Sequence, residues 1–149
     1  MIEFKIEPVL ECKDEMLSLL EEHYQELTLN KHIIKLNPNW AEYKRREDAG
    51  KFKYISVRDN GQLVGYSAWF IDTHIHYADL IVAMNDVIFL KDKYRLGLTG
   101  VKLIKFSEQT MRDLGVHKIV WHIKESNNFS PILKRMGYNT EDILMGKIC

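Results

Sequence analysis

Polar and apolar residues alternate at the start of the chain, from Met1 to Glu7, and the alternation stops at Pro8. A period of two is typical of a half-buried strand, which proline cannot continue, so we expect a strand of about six residues. Residues 14–29 then show the spacing of a helix with one apolar face. We expect Asp14 to cap this helix and four side chains to form its buried face: Leu17, Leu20, Tyr24 and Leu27.

A loop over residues 30–39 precedes a second, shorter helix. Pro38 and Asn39 are typical of a helix start, and Gly50 is typical of a helix end, so we expect a short helix through Trp40 and Tyr43.

Asn60-Gly61 lies between two apolar segments, 54–58 and 62–70. An Asn-Gly pair accepts the positive φ angles of a tight hairpin turn, so these segments are predicted to form paired strands. Residues 72–80 are compatible with a loop or a strand. The β-branched and aromatic residues at 84–90 then predict a central strand.

The second half of the chain begins with a glycine-containing turn at residues 94–100. A helix over 98–114 should follow and end at Gly115. Its buried face is predicted to contain Leu103, Ile104, Ser107, Met111 and Leu114.

Three further elements are predicted after Gly115: a strand at 118–123, a short helix capped by Ser130 and ended by Gly137, and a last strand at 143–148. The predicted order β, α, α, β, β, β, α, β, α, β indicates a mixed α/β sheet.

Composition and charge limit the function classes. A chain of 149 residues with 46% hydrophobic content has the size of one domain, so we expect a single domain over residues 1–149. The 21 basic and 21 acidic side chains cancel, so no overall field attracts nucleic acid or an anionic membrane. The two cysteines, Cys12 and Cys149, are far apart in sequence and do not suggest a disulfide framework. We therefore expect the protein to reside in a reducing cytoplasm. We expect neither a signal peptide nor a membrane span.

The segment Tyr94-Arg95-Leu96-Gly97-Leu98-Thr99-Gly100 joins a predicted strand to a predicted helix. Free backbone N–H groups at the positive end of a helix dipole form an anion site, and glycine lets phosphate oxygens approach closely. An arginine can add a charge-assisted contact. Taken alone, the glycines are explained equally well by an ordinary turn between a strand and a helix that binds no ligand. The segment lacks the dinucleotide-binding fingerprint and the P-loop ending.

In a wider context, the sequence resembles the GNAT acyltransferase family, and more closely its small phage and bacterial members. The resemblance rests on Leu63-Val64-Gly65-Tyr66, on the segment from Asp86 to Arg95 with Gly97 and Gly100, and on Asn128 to Tyr138. It covers nearly the whole chain in order. One departure concerns the turn, where Leu98 stands at a position at which the family commonly has glycine.

The resemblance implies a twisted, mostly antiparallel sheet with helices on both faces and a splayed opening between strands four and five that holds acetyl-CoA. Pantetheine would pair with backbone groups of Phe89, Leu90 and Lys91. The pyrophosphate would meet the amides of Leu96, Gly97, Leu98, Thr99 and Gly100, with Arg95 contacting a phosphate. Asn127 or Asn128 can hold the coenzyme amides, although a helix-entry turn explains both asparagines equally well.

Acyl transfer from a thioester to an amine needs a group that removes the amine proton. Asp86 is the only acidic residue in the predicted strand 84–90, and strict alternation would place it on the face of Ile88 and Leu90. His122, on the next strand, is the rival base. An ordinary hydrogen-bonded strand residue and a packed or surface histidine are the alternative interpretations.

Two further parts of the chain, residues 74–79 and Leu133, have interpretations of their own. His74, His76 and Asp79 have metal-ligand chemistry, but the clustering is sparse, the reaction needs no metal, and we expect none. A substrate-pocket role for His76 and Tyr77 is the stronger hypothesis. Leu133 occupies the place at which many relatives carry a tyrosine that protonates the leaving thiolate.

The sequence is therefore interpreted as an acetyl-CoA-dependent N-acetyltransferase acting on a primary amine of a small molecule or protein. The alternative is a catalytically weak acyl-CoA-binding module with a regulatory or interaction role. A nucleic-acid acceptor is disfavoured by the charge balance, although Lys44-Arg45-Arg46 forms a local basic patch. The oligomeric state is left open, with a homodimer as one alternative.

Overall fold

A five-stranded sheet with the strand order β1-β2-β3-β4-β5 forms the centre of the fold. The computed structural model describes all residues from Met1 to Cys149. The first four strands pair in antiparallel fashion, whereas β4 and β5 are parallel. The strands are β1 (Ile2–Ile6), β2 (Phe52–Asp59), β3 (Gln62–His74), β4 (Tyr77–Leu90) and β5 (Lys118–Val120).

Helices cover both faces of this sheet, as predicted for a mixed α/β fold. They are α1 (Lys13–Leu27), α2 (Trp40–Asp48), α3 (Asp92–Arg95), α4 (Thr99–Asp113) and α5 (Ser130–Arg135), with a 3-10 turn at Glu125–Asn127. No helix is both long enough and apolar enough to cross a membrane.

Two apolar cores lie on opposite faces of the sheet. The first joins Met16 and Leu19 of α1 to the sheet, with Trp40 and Tyr43 of α2 packed against it. The second joins Leu103 and other side chains of α4 to the opposite face. Helices α1 and α2 therefore share one side of the sheet, and α4 covers the other.

Local sequence signals correctly place the hairpin and the start of α2. Asn60 and Gly61 have φ angles of 49° and 86°, which is the left-handed backbone that the tight turn between β2 and β3 requires. The Asn39 side chain accepts a hydrogen bond from the Glu42 backbone N–H and caps α2.

Helix α1 differs from its prediction in its cap and in its buried face. Cys12, not Asp14, is the N-cap, and Asp14 lies in the first turn. The fully buried side chains are Met16 and Leu19, whereas Leu17 is 47% exposed. Cys12, Met16 and Leu19 pack into the same core. The buried face of α1 is therefore shifted by one residue toward the N-terminus from the predicted face of Leu17 and Leu20.

The helices after β4 also depart from prediction at their ends. Leu114 is exposed because α4 ends at Asp113. Phe129 is the N-cap of α5, so Ser130 is the first helical residue rather than the cap.

The C-terminal strands are shorter than predicted. Strand β5 stops at Val120 instead of continuing to residue 123, because its partner β4 diverges from it there. The segment 143–148 forms no strand, and Ile143, Leu144 and Met145 are exposed. An extended apolar segment needs a neighbouring strand to become part of a sheet, and none is paired with this one.

Candidate functional site

A cleft opens between β4 and β5. The two strands pair only from Val82–Lys118 to Met84–Val120, and beyond that point β4 has no strand on this side. The Lys91 N–H bonds to the Val64 carbonyl on β3. Because backbone groups alternate in direction, Ile88 and Leu90 point their N–H and C=O groups into the cleft.

This alternation divides the three residues predicted to pair with pantetheine. Leu90 faces the cleft, and its carbonyl already accepts a hydrogen bond from Arg95 Nε at 2.6 Å. Phe89 and Lys91 direct their backbone groups toward β3 instead. Ile88 also directs its backbone groups into the cleft, and the alternation of a correctly registered strand would have identified it.

The turn from Leu96 to Gly100 leads from α3 into α4. The backbone N–H groups of Leu96, Gly97, Leu98, Gly100 and Val101 donate no hydrogen bond within the protein. Gly97 has a φ of 86°. The first turn of α4 contains no acidic residue. Several free N–H groups at the positive end of a helix create a site for an anion.

Open space surrounds Gly100. A Cβ atom placed at this position would meet no atom within 4 Å other than those of its chain neighbours and of the α4 backbone. The exposed side chains of Leu96 and Leu98 flank the turn. The backbone is consequently accessible to a ligand at the same place where its N–H groups lack partners.

Arg95 bonds within the protein instead of extending toward this turn. Its guanidinium donates to both carboxylate oxygens of Glu26 on α1, at 2.5 and 2.7 Å, and lies 2.8 Å from a carboxylate oxygen of Asp92. It also stacks over the Phe89 ring at 5.3 Å. A phosphate contact by Arg95 therefore stays a prediction, and it would compete with these partners.

Asp86 lies at a β-bulge in β4. Ala68 pairs with Val87 and Trp69 pairs with Asn85, so Asp86 is the extra residue in the ladder. The bulge turns the Asp86 side chain toward α2, where Tyr43 donates a hydrogen bond to it at 3.2 Å. This corrects the sequence prediction, because Asp86 lies on the face of Val87 and not on that of Ile88 and Leu90.

The buried Asn85 side chain stabilises this bulge. Its amide Nδ2 donates to the carbonyls of Ala68 and Val87, both at 3.1 Å. These bonds satisfy polar groups that a regular ladder would have paired. Sequence reasoning assigned Asn85 no role, since a bulge has no simple sequence signature here.

Burial raises the pKa of Asp86 above its ordinary value, opposed by the Tyr43 hydrogen bond and by electrostatic interaction with His122 and Arg46. Desolvation disfavours the charged carboxylate and makes it a stronger base. Asp86 and His122 each lie two positions beyond the last β4–β5 pair, Met84–Val120. The two sequence-predicted bases thus flank the start of the cleft, with His122 exposed and Asp86 partly buried.

A cavity of about 380 Å³ opens on the α1 side of the sheet next to Asp86. We call it the acceptor pocket. It lies between α1, residues 34–38, the start of α2 and the strand face that carries Ala68 and Val87. Thirteen of its twenty lining residues are hydrophobic.

His23 of α1 lines this pocket and is a second residue that sequence reasoning missed. Its ring stacks on Phe89 at 5.1 Å, and Nδ1 is 2.8 Å from the Tyr66 hydroxyl. Burial lowers the pKa of His23 to about 4, helped by the positive charges of Arg95 and Lys124 and opposed by Glu26. The imidazole is therefore neutral near pH 7.

The remaining candidates lie at several places around the cleft. Asn128 Oδ1 accepts a hydrogen bond from the Ser130 backbone N–H, which gives this side chain a role in starting α5. The Asn127 side chain makes no hydrogen bond within the protein. Leu133 is buried, at 3% exposure.

The two tyrosines near the cleft are engaged elsewhere. The Tyr94 hydroxyl donates to Asp59 at 2.9 Å, and the Tyr138 hydroxyl donates to Glu108 at 3.0 Å. Burial raises the pKa of Tyr138 to about 12, and the bond to Glu108 adds to this.

The histidines of the β3–β4 turn form no metal-binding group. The His76 backbone N–H donates to His74 Nδ1, and Tyr77 is 64% exposed. No group of three or more His, Cys, Asp or Glu side chains in the structure is arranged to hold a metal ion. His76 and Tyr77 are not among the residues that line the acceptor pocket.

Solved structures share this architecture. A ribosomal-protein-alanine N-acetyltransferase from Brucella melitensis biovar Abortus 2308 superposes with a TM-score of 0.72 at 15% identity, covering 100% of this chain and 99% of that one. A predicted acetyltransferase from Clostridium acetobutylicum, solved with acetyl-CoA, gives 0.71 at 9% identity, covering 99% and 96%. An aminoglycoside acetyltransferase from an uncultured soil metagenomic sample gives 0.76 at 14% identity, covering 100% and 98%.

At these identities the similarity shows a common fold, while acceptors differ between the relatives. No curated protein matches the sequence. The sequence model of the Acetyltransferase (GNAT) family matches residues 14–138, which include the cleft, the turn and all residues of the acceptor pocket except Val9. Because this match spans well over half of the chain, the protein belongs to the GNAT acetyltransferase family.

Proposed function

We propose that the protein transfers an acetyl group from acetyl-CoA to a primary amine by direct attack on the thioester. The observation that carries this proposal is the cluster of unpaired N–H groups from Leu96 to Val101 beside a cleft that has Asp86 at its start. Family membership supplies the donor, since GNAT proteins use acetyl-CoA.

The coenzyme would lie with its pyrophosphate on the free amides of the turn and its pantetheine along the open edge of β4. The amides of Leu96, Gly97, Leu98 and Gly100 fit this assignment because they lack other partners. Thr99, in the first turn of α4, completes the set. Ile88 supplies the open backbone edge beside Leu90, and Asn127 is the asparagine whose side chain is free to bind a coenzyme amide.

In the proposed reaction the amine nitrogen attacks the thioester carbonyl carbon. The new C–N bond forms, the C–S bond breaks, and the coenzyme leaves as a thiolate. Asp86 takes the proton that the amine loses, directly or through a water molecule. A carboxylate with a raised pKa suits this step, because its basicity lies closer to that needed at neutral pH.

His122 is the alternative base. Its side chain is exposed and belongs to the opposite wall of the cleft. The hydrogen bond from Tyr43 gives Asp86 a fixed orientation that no partner gives to His122. We therefore assign Asp86 as the base.

The leaving thiolate has no tyrosine beside it at the usual family position, because Leu133 is there and is buried. A coenzyme thiol resembles a cysteine thiol, with a pKa of about 8.5, so departure as thiolate is only mildly unfavourable near neutral pH. We propose that the thiolate leaves unassisted and takes a proton from water.

A transfer assay tests the proposed function. Purified protein is incubated with acetyl-CoA and a panel of primary amines, thiol release is followed, and acetylated products are identified by mass spectrometry. We expect amine-dependent thiol release that matches product formation. Coenzyme binding without turnover on any amine would favour the alternative, an acyl-CoA-binding module.

A further inference from the structure

The acceptor pocket carries an imbalance of charge that bears on the acceptor. Asp86 is the only carboxylate among the residues that line it. Two lysines, Lys35 and Lys124, line it as well, and both are exposed. The lining histidine, His23, carries no charge near pH 7 because its pKa is lowered to about 4 by burial.

One carboxylate can stabilise one ammonium group of a bound acceptor. A second ammonium group would find no second carboxylate in this lining. It would meet apolar walls, neutral polar groups such as Thr28 and Asn37, or the two lysines, so its desolvation would be poorly compensated. A polyamine or an aminosugar with several amino groups therefore fits this lining poorly. An acceptor with a single amino group has no second ammonium group to desolvate.

The walls indicate what the rest of the acceptor should be. Aromatic rings of Tyr24, Trp40, Tyr43, Phe52 and Tyr54 contribute to the lining. The ring centroids of Trp40 and Tyr43 are 6.2 Å apart at the start of α2, and the Tyr43 hydroxyl donates a hydrogen bond to Asp86. Apolar and aromatic surface of this kind stabilises an apolar body by removing it from water and by ring contacts.

The size of the cavity limits that body. A volume of 380 Å³ lies at the lower end of the range for small-molecule sites and corresponds to roughly a dozen water-sized groups. An aromatic monoamine with a short linker fits within it. A large polar acceptor with several rings would extend out of it into solvent.

We propose that the acceptor is a small monoamine with an aromatic or branched aliphatic body, bound with its amino group at Asp86 and Tyr43 and its body against Trp40. This inference rests on the proposed function and assigns the substrate class to the same site. Lys35 and Lys124 select against additional positive charge.

The test compares kcat/KM for three amines with acetyl-CoA: 2-phenylethylamine, ethylamine and spermidine. We expect 2-phenylethylamine to exceed both of the others by at least about tenfold, because only it combines one charge with an apolar body. Spermidine that is equal to or better than 2-phenylethylamine would overturn the proposed class while leaving acetyl transfer itself intact.

Two variants assign the preference to named side chains. Trp40→Ala should lower kcat/KM for 2-phenylethylamine by about tenfold and change that for ethylamine by less than about threefold. Lys35→Glu should raise kcat/KM for spermidine relative to kcat/KM for 2-phenylethylamine, because it replaces a positive charge of the pocket with a negative one. Lys105→Glu is the matched control, because Lys105 is exposed on α4 across the sheet and has no ion-pair partner. Equal losses for both amines in Trp40→Ala would contradict the pocket assignment.

Binding separates this inference from the proposed function. Calorimetric titration of 2-phenylethylamine into protein saturated with coenzyme A should show binding that Trp40→Ala weakens. If acetyl-CoA binds but 2-phenylethylamine does not, the acceptor class is wrong. If acetyl-CoA itself does not bind, the proposed function fails.

Discussion

Asp86 reaches the acceptor pocket because β4 contains one residue more than the ladder with β3 requires. A bulge redirects a side chain without changing the strand on either side, and bulges are common next to active sites. In this protein the extra residue moves a carboxylate from the α4 face to the face where Tyr43 and the pocket lie.

Asp86→Asn should lower kcat by about 100-fold while the Kd for acetyl-CoA stays within about twofold, because the amide keeps the shape but cannot accept the amine proton. Steady-state kinetics and coenzyme titration measure the two effects. His122→Gln is the comparison variant and should retain most activity. An active Asp86→Asn together with an inactive His122→Gln would place the base on the other wall of the cleft.

His23 should make stability depend on pH. Its folded-state pKa is about 4, below the ordinary value of 6.5, so the unfolded chain binds more protons between these values. Stability due to this group is complete above pH 6.5 and is lost as pH falls toward 4, by at most about 1.4 kcal/mol per pH unit.

The His23→Gln variant isolates this effect, because glutamine can still hydrogen-bond to Tyr66 but does not titrate. Urea unfolding at several pH values measures the free energy of unfolding for both proteins. The raised pKa of Asp86 makes the free energy of unfolding depend on pH with the opposite sign. This contribution is the same in wild type and in His23→Gln, so it cancels in the comparison. Parallel pH curves for wild type and His23→Gln would contradict a buried neutral His23.

No single tyrosine should be essential as an acid. Tyr94→Phe and Tyr138→Phe should each keep kcat within about tenfold of wild type, because both hydroxyls are bonded to other carboxylates, Asp59 and Glu108. Leu133→Tyr should raise kcat if the new hydroxyl reaches the sulfur. A loss of a hundredfold or more in either Phe variant, with folding and coenzyme binding preserved, would identify that tyrosine as the acid.

At the scale of elements, the contact between Arg95 and Glu26 connects the end of α3 to α1. This matters because α1 contributes to the acceptor pocket, whereas α3 leads into the coenzyme turn. The guanidinium also bonds to the last carbonyl of β4, that of Leu90. One side chain therefore fixes three elements around the site.

Arg95→Ala and Glu26→Gln should each lower the free energy of unfolding by about 1 kcal/mol, since the pair is partly exposed and its gain is screened by solvent. The double variant should lose less than the sum of the single losses, as expected for two members of one interaction. Denaturant unfolding of the four proteins measures this coupling. Additive losses would show that the two side chains act independently.

Sequence patterns predicted those elements whose causes are local. Asn60-Gly61 fixes the hairpin through its backbone preference, and Asn39 caps α2 through a side chain three residues from its partner. The bulge at Asp86, by contrast, depends on the register of β3 against β4. The failure of residues 143–148 to form a strand depends on the absence of a neighbour to pair with.

The candidate site shows the same division. The turn at Gly97 and Gly100 was recognisable from glycines between a strand and a helix, and its unpaired amides agree with that reading. The short helix through Trp40 and Tyr43 was predicted, but the Tyr43–Asp86 contact and the place of His23 were not, because only the folded chain brings these helices to the pocket.

At the scale of the whole molecule, β4 separates the two openings that act together in the proposed reaction. The cleft toward β5 lies along its edge, and the acceptor pocket lies on its α1 face. Asp86 borders both, because it lies just beyond the last β4–β5 pair and its side chain, turned toward Tyr43, lines the pocket. A donor in one opening and an acceptor in the other would meet at this residue.

Coenzyme affinity of a Gly100→Val variant tests the central claim most directly. The structure leaves space for a Cβ atom at Gly100, so we expect valine to be accepted by the fold but to occupy the place where a phosphate would approach the free amides. Gly146→Val is the matched control, because Gly146 also has open space around it and lies in the C-terminal segment. Calorimetric titration with acetyl-CoA should show an affinity at least about tenfold weaker for Gly100→Val and unchanged for Gly146→Val. Wild-type affinity in a folded Gly100→Val protein would contradict coenzyme binding at this turn.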